Sequence, residues 1–281
     1  MAMPIRDTIV PLASSRTLGY VALCALLLGV YSVLPIWKEY SRFRDLGDTP
    51  SDLHAALSLI LGLLLVFRTN AAYGRWWEAR ILWGGLVNAS RNLAMKLVTV
   101  GRLEFEEMAP CEQLLKEFPA ALMNHLRCSS SQAAATAAAP AHRPLQIAQQ
   151  LYDWLAERKL SHKIDGDELR VIDVELAKLM EICGACERIA KTPMIGSYRV
   201  FARQCILLFL LTLPWGIAND FGWWTIPLTI ITAYFMIGLE VVAEHVEEPF
   251  GLDEDDLDLE SICLTIDKSI HEVFATHAMK G

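Results

Sequence analysis

Three groups of side chains in this sequence have the types and spacing to do more than fold it. The first is a run of carboxylates. Glu240, Glu244, Glu247 and Glu248 lead through Pro249-Phe250-Gly251 into Asp253, Glu254, Asp255, Asp256, Asp258 and Glu260. Carboxylate oxygens at that density suit Ca2+, a hard cation that takes about six to eight of them. The spacing is not that of an EF-hand, because neither the turn glycine nor the closing glutamate falls in place. A solvated acidic loop behind a membrane helix is the simpler reading of spacing alone. The second group is Cys183-Gly-Ala-Cys186. A CxxC does redox chemistry where it opens a helix behind a strand and the thiolate is stabilised. Here it lies late in a helical pattern with no strand before it, so packing is the expected role. No second CxxC completes a metal site. The seven histidines (His54, His125, His142, His162, His245, His271 and His277) form no HExxH pattern. No Walker A loop, GxGxxG or GxSxG is present, and no nucleophile has an identifiable base. The residues argue against an enzyme and require no cofactor.

The third group is apolar. From Leu53 to Trp83 an apolar run, LHAALSLILGLLLVF, passes without a helix breaker into FRTNAAYGRWWEARILW. One long helix is the expectation. Leu59, Leu63 and Phe67 are four residues apart, so they drift only about 40° per step along one helical face. In a single copy such a face packs against lipid or neighbouring helices. With several copies around an axis it becomes a stack of apolar rings over about 12 Å, a constriction that gates by dewetting.

These groups must be positioned by elements, and composition says which kind. Of the 281 residues, 53% are hydrophobic and 21% charged, and mean hydropathy is +0.31. That combination predicts membrane spans with a sizeable aqueous part. The net charge of −8 and the lack of a basic patch disfavour a nucleic-acid partner. A span needs roughly 20 apolar residues. Four segments are expected to cross, at about 18–37, 53–72, 200–218 and 221–242, the second with Arg68 facing protein or water and the third lengthened by a buried Arg203. The last two read as a hairpin turning at Asn219-Asp220, with Trp215, Trp223 and Trp224 as an interfacial belt. Arg6, Arg16, Arg68, Arg75, Arg80, Arg91, Lys191, Arg199 and Arg203 flank one side. Lys38, Arg42 and Arg44 lie on the other, beside Glu39, Asp45 and Asp48. The positive-inside rule places both termini and the middle segment in the cytoplasm of a multi-pass protein of the cell membrane.

The cytoplasmic part, about residues 73–199, shows helical spacing over Ile81–Leu103, Leu114–Leu126, Leu145–Arg158 and Asp167–Ala190, with a low-complexity loop at Ser129–Pro144. An acidic segment, 243–281, follows the last span. No alternating strand pattern of useful length appears. The expectation is an all-α membrane protein: four transmembrane helices, with long helices extending into a cytoplasmic helical domain.

The chain resembles the bestrophin family, in its prokaryotic and plant-type branch. The residues that carry the resemblance are Phe67-Arg68-Thr69-Asn70 with Tyr73, Arg75-Trp76-Trp77-Glu78-Ala79-Arg80, Trp83-Gly84, Ser90-Arg91, Cys186-Glu187-Arg188-Ile189 with Thr192-Pro193, Val242-Ala243-Glu244, and Glu248-Pro249-Phe250-Gly251. They occur in order across most of the chain, within a single bestrophin-like domain spanning 1–281. The resemblance implies a homopentameric channel in the lipid bilayer, passing small monovalent ions through one central pore. It implies a neck at Leu59, Leu63 and Phe67 and a cytosolic aperture near Leu169 and Val171. It also makes Asp253, Glu254, Asp255 and Asp256 candidates for a Ca2+ clasp, although their spacing departs from that of animal members. Chloride conduction is the family's best-known activity, whereas an acidic vestibule favours cations, so the ion sign stays open at this point. The competing readings are a membrane-anchored helical scaffold or signalling protein with no conductance, and a redox- or metal-responsive protein using Cys183 and Cys186.

Overall fold

The computed structural model describes residues 16–42, 51–130, 142–253 and 255–279, and among them every regular element is helical. The helices are α1 (Arg16–Tyr31), α2 (Val33–Glu39), α3 (Ser51–Thr99), α4 (Phe105–Ser130), α5 (Arg143–Leu160), α6 (Gly166–Lys191), α7 (Gly196–Phe221), α8 (Thr225–Glu247) and α9 (Leu259–Ala278). The chain forms two compact units. One holds the residues up to Tyr73 together with Met194–Glu247; the other holds Gly74–Pro193 and Glu248–Gly281. The expected long helix is α3, 49 residues without a break.

In the first unit, α1, α2, the first half of α3, α7 and α8 are apolar enough that three stretches qualify as membrane-spanning: Leu18–Glu39, Asp52–Thr99 and Gly196–Glu247. The third contains both α7 and α8. The first is not one helix. Pro35 has no N–H to give the carbonyl of Tyr31, so the helix breaks at Ser32 and restarts as α2. Ser32 Oγ donates to the carbonyl of Gly29 at 2.6 Å. The α7–α8 turn also falls later than expected. Asn219 and Asp220 are still helical, and α7 ends at Gly222, whose φ of +51° a glycine adopts at little cost. A 3-10 turn, Gly222–Trp224, leads into α8. Trp215 Nε1 donates to the Tyr31 hydroxyl at 2.7 Å, which in turn donates to the Leu211 carbonyl, tying α1 to α7. Leu61 and Leu65 of α3 pack with Ala25, Ile206, Phe209, Leu210, Leu213 and Ala233. The His54 ring is buried where Gly216 leaves room; a Cβ at Gly216 would collide with it.

The second unit is built on helices with one buried stripe each. Trp83, Leu86, Leu93 and Leu97 of α3 meet Leu115, Phe118, Leu122 and Leu126 of α4, Ile147, Leu151 and Leu155 of α5, and Ile172, Leu176 and Leu179 of α6. Spacings of three and four place each set on one face. A capping box opens α6: Asp165 accepts from the backbone N–H of Asp167 and Glu168, and Glu168 accepts from the N–H of Asp165. The C-terminal segment, read from the sequence as acidic, also supplies a helix to this unit. Asp258 caps α9 by accepting from the N–H of Ser261, and Leu259, Ile266, Ile270 and Phe274 are part of this unit's core. Within the expected low-complexity loop, residues 131–141 lie outside the described residues, as do Arg6, Arg44, Asp45 and Asp48.

Core packing and capping differ in expected cost. Leu176→Ala removes a fully buried side chain and should destabilise the second unit by about 2–5 kcal/mol. Asp165→Ala should cost about 1 kcal/mol. Denaturant unfolding of the detergent-solubilised protein, followed by far-UV circular dichroism, ranks the two.

Candidate functional site

The first half of α3 has two faces. Leu61, Leu65, Arg68 and Ala72, spaced four, three and four, are buried. Leu59, Leu63 and Phe67 lie on another side and are 68%, 53% and 66% exposed. The structure therefore brings the three expected neck residues together on one open apolar face. Leu63 and Phe67, with Leu57, Ile60 and Leu64, also line a groove of about 390 Å³ against Phe201, Cys205, Leu208 and Thr212 of α7. Apart from the Thr212 hydroxyl the lining is apolar, so the face holds no ion by itself.

Arg68 follows Phe67 directly but lies about 100° further round the helix, on its packed side. Its side chain is fully buried. Nε donates to Glu240 Oε2 at 2.5 Å, and Nη2 lies 3.6 Å from Glu247 Oε2. Glu240 also accepts from Arg203 Nε at 3.1 Å, and Arg203 Nη2 reaches Glu244 at 2.6 Å. Glu247 accepts the backbone N–H of Met194 at 3.1 Å. Each buried charge loses its water, and only close, hydrogen-bonded partners offset that loss. Arg203 itself is not buried as expected: its side chain is 44% exposed, with the guanidinium turned to the carboxylates of α8. Arg68 was expected to face protein or water, and it faces protein. Its partner Glu240, 172 residues away, was not assigned, and no spacing rule connects the two.

The proposed aperture residues sit near the start of α6 in the second unit, two positions apart and so about 200° apart around the helix. The structure does not bring them together. Leu169 packs against the core, whereas Val171 is exposed. In the acidic loop, the N–H of Asp253 donates to Asp256 Oδ2 at 2.7 Å and the N–H of Asp256 donates to the Asp253 carbonyl at 3.1 Å. The Asp255 carbonyl accepts from Trp76 Nε1 at 3.2 Å. Asp256 thus turns toward its own loop, and the side chains of Asp253 and Asp255 are exposed. Glu254 lies outside the described residues.

Several of the motif residues do structural work in this unit. Arg75 donates to the carbonyls of Ile189 and Thr192 at 2.7 and 2.5 Å, placing a cation on the C-terminus of α6. Glu78 pairs with Arg188 at 2.7 Å. Cys183 and Cys186 are buried and unbridged, and burial pushes both thiols up from 9.0 to about 12. A neutral thiol in an apolar surrounding is a poor nucleophile.

A cluster that the sequence gave no spacing for lies beside them. Glu187 Oε1 is 2.7 Å from His125 Nε2 and 2.8 Å from His142 Nε2, and Lys191 Nζ is 3.0 Å from Glu187 Oε2. The three ligand-type atoms lie close enough together to suggest a metal, but the cap of α5 argues otherwise. His142 Nδ1 accepts the N–H of Leu145 at 3.1 Å, which puts the proton of a neutral ring on Nε2, the atom a metal would need. The geometry is that of a hydrogen-bonded latch joining α4, α5 and α6. Burial alone would raise the Glu187 carboxyl, but hydrogen bonds from Lys191, His125 and His142 outweigh it and hold it below its ordinary 4.5.

Residues 3–272 match the family described as Bacterial/Fungal Bestrophin protein. A voltage-dependent anion channel-forming protein of Nostoc sp. is 34% identical over 230 residues, 77% of this chain and 75% of that protein. Another, from Ralstonia nicotianae, is 30% identical over 241 residues, 82% and 78% of the two chains. A crystal structure of a bacterial bestrophin homologue from Klebsiella pneumoniae superposes with a TM-score of 0.81 over 91% of this chain and 98% of that one, at 23% identity. At that identity the superposition speaks for the fold.

The titrating groups of the second unit give its stability two limbs. The Glu187 carboxyl titrates lower folded than unfolded, so its contribution is present above pH 4.5 and fades as pH falls through the folded value. The two thiols titrate higher folded than unfolded, so theirs is complete below pH 9.0 and fades as pH rises toward 12. Unfolding measured from pH 3 to pH 11 (the assay range) should fall off on both sides. Glu187→Gln should make the acid limb, which Glu112 and Glu175 share, less steep and leave the alkaline limb unchanged.

Proposed function

The chain belongs to the bestrophin family of bacteria and fungi, and we propose that it is an anion channel of bestrophin type, assembled as a homopentamer around one pore. The observation that carries this reading is the open apolar face of α3, on a helix whose other side is packed and charge-paired. Five copies of that face around an axis place Leu59, Leu63 and Phe67 as successive rings. A ring of leucines or phenylalanines offers a passing ion no replacement for its water, so a narrow neck of this kind dewets and closes when its radius falls. The related proteins named as voltage-dependent anion channel-forming support chloride over cations as the permeant ion. The chain's net charge of −8 then acts away from the neck, whose walls carry no sign.

In this reading the chain crosses the bilayer four times, through α1 with α2, the first half of α3, α7 and α8. Arg75, Arg80 and Arg91 after the second crossing, and Lys191 and Arg199 before the third, put the second unit and both termini on the cytoplasmic side of a bacterial inner membrane. Of the two aperture candidates, Val171 is the side chain with a free outer face, and it forms the cytosolic constriction. No cofactor is required. The acidic loop is a candidate Ca2+ clasp through Asp253 and Asp255, with Glu254 between them; chelating Ca2+ would then lower the wild-type current and leave Asp253→Asn/Asp255→Asn unchanged.

The neck makes a sharper prediction. Reconstituted into liposomes, the wild type should release trapped chloride, and Leu63→Ala or Phe67→Ala should speed release about tenfold or more by widening a dewetted ring. A chloride-selective electrode reads the rate. No release from well-folded oligomers, wild type and neck variants alike, contradicts the channel reading and favours a scaffold.

A further inference from the structure

From Leu59 to Phe67 every residue of α3 is apolar or glycine. Inside a bilayer that pattern carries little rotational information, because lipid tails are as apolar as leucine and no hydrophobic force chooses which face meets protein. Rotating α3 by one residue would exchange Leu59 and Leu63 for Ile60 and Leu64, and by two residues for Leu61 and Leu65, with similar side-chain volumes. A charged group does distinguish the faces, since an ionised side chain in lipid is costly and finds protein partners. Arg68 is that group. Its guanidinium meets α8 at Glu240 and at Glu247, which are seven residues, about two turns, apart on one face. Arg203 of α7 holds the same Glu240 from the other oxygen. The Tyr198 hydroxyl of α7 donates to the Leu64 carbonyl at 3.3 Å, a second tether on the same turn of α3.

We propose that Arg68 is the positioning residue of the neck: its ion pair with Glu240, braced by Glu247 and Arg203, fixes the rotation of α3 about its own axis and thereby decides that Leu59, Leu63 and Phe67 form the neck surface while Leu61 and Leu65 are packed inside. The inference rests on the channel reading above. A 40° turn of α3, one step of the drift along that face, moves each Cα by about 1.6 Å and the end of a long side chain by more. That displaces the guanidinium from both carboxylates together, so the lock acts as a stop and not as a gradual restraint. Arginine suits it better than lysine, because a planar fork meets two carboxylates in fixed directions whereas an ammonium pivots.

The test reads which face of α3 meets water. Single cysteines are placed at Leu63, Phe67, Leu61 and Leu65 in a cysteine-free full-length chain, reconstituted in liposomes and treated with a charged, water-soluble methanethiosulfonate. Labelling is read by mass, which needs no ion current. With Arg68 and Glu240 intact, Leu63→Cys and Phe67→Cys should label at least tenfold faster than Leu61→Cys and Leu65→Cys. Glu240→Gln should collapse that ratio toward one. The charge-swapped pair Arg68→Glu with Glu240→Arg should restore most of it. A merely stabilising salt bridge would lower the melting temperature and leave the ratio unchanged, and an unchanged ratio in a monodisperse Glu240→Gln oligomer overturns the proposal. Should Glu240→Gln not fold, Arg68→Lys takes its place with the same expectation of a reduced ratio and the same overturning result. Failure of the channel reading shows separately, as absent chloride release with the labelling pattern intact.

Discussion

The pairing of Arg68 with Glu240 is the constraint on which the first unit depends. A fully buried guanidinium in an apolar helix cluster has lost its water, and only close carboxylates offset that loss. Removing either partner of such a buried pair generally costs about 3–5 kcal/mol, since the remaining charge is stranded. The carboxylates come from α8, the neighbouring cation from α7, and the backbone N–H of Met194 completes Glu247. One interaction thus joins three of the helices that form this unit. The apolar contacts around it, such as Leu61 and Leu65 against Ile206 and Leu210, supply packing but little choice of register.

The second unit solves a different problem. Its helices each have one wet face, so a hydrophobic core can orient them without help from charge. The polar residues that carry the family likeness act mainly at helix ends and junctions. Arg75 closes the C-terminus of α6, Trp76 holds the acidic loop by a carbonyl, and Glu187 gathers two histidines and a lysine. Cys183 and Cys186 are core residues whose thiols burial keeps neutral.

What was legible in the sequence follows the range of the interactions. The helices were legible where a local period or an unbroken apolar run announced them, as in α3 and α6. The shared face of Leu59, Leu63 and Phe67 was legible from a four-residue step, and Arg68 was legible as an exception to its surroundings. The break at Ser32 needed attention to the missing N–H of Pro35. Helix α9 was masked by the density of carboxylates just before it, although Leu259, Ile266, Ile270 and Phe274 carry a helical period. Glu240 as the partner of Arg68, and Glu187 as the meeting point of His125 and His142, are products of tertiary folding. Sequence separations of 172, 62 and 45 residues leave no periodic trace of them.

The passage of anions through an uncharged neck is tested most directly by the reversal potential. In a planar bilayer holding the purified protein under a NaCl gradient, the current should reverse near the chloride equilibrium potential. Reversal near the sodium equilibrium potential would contradict it.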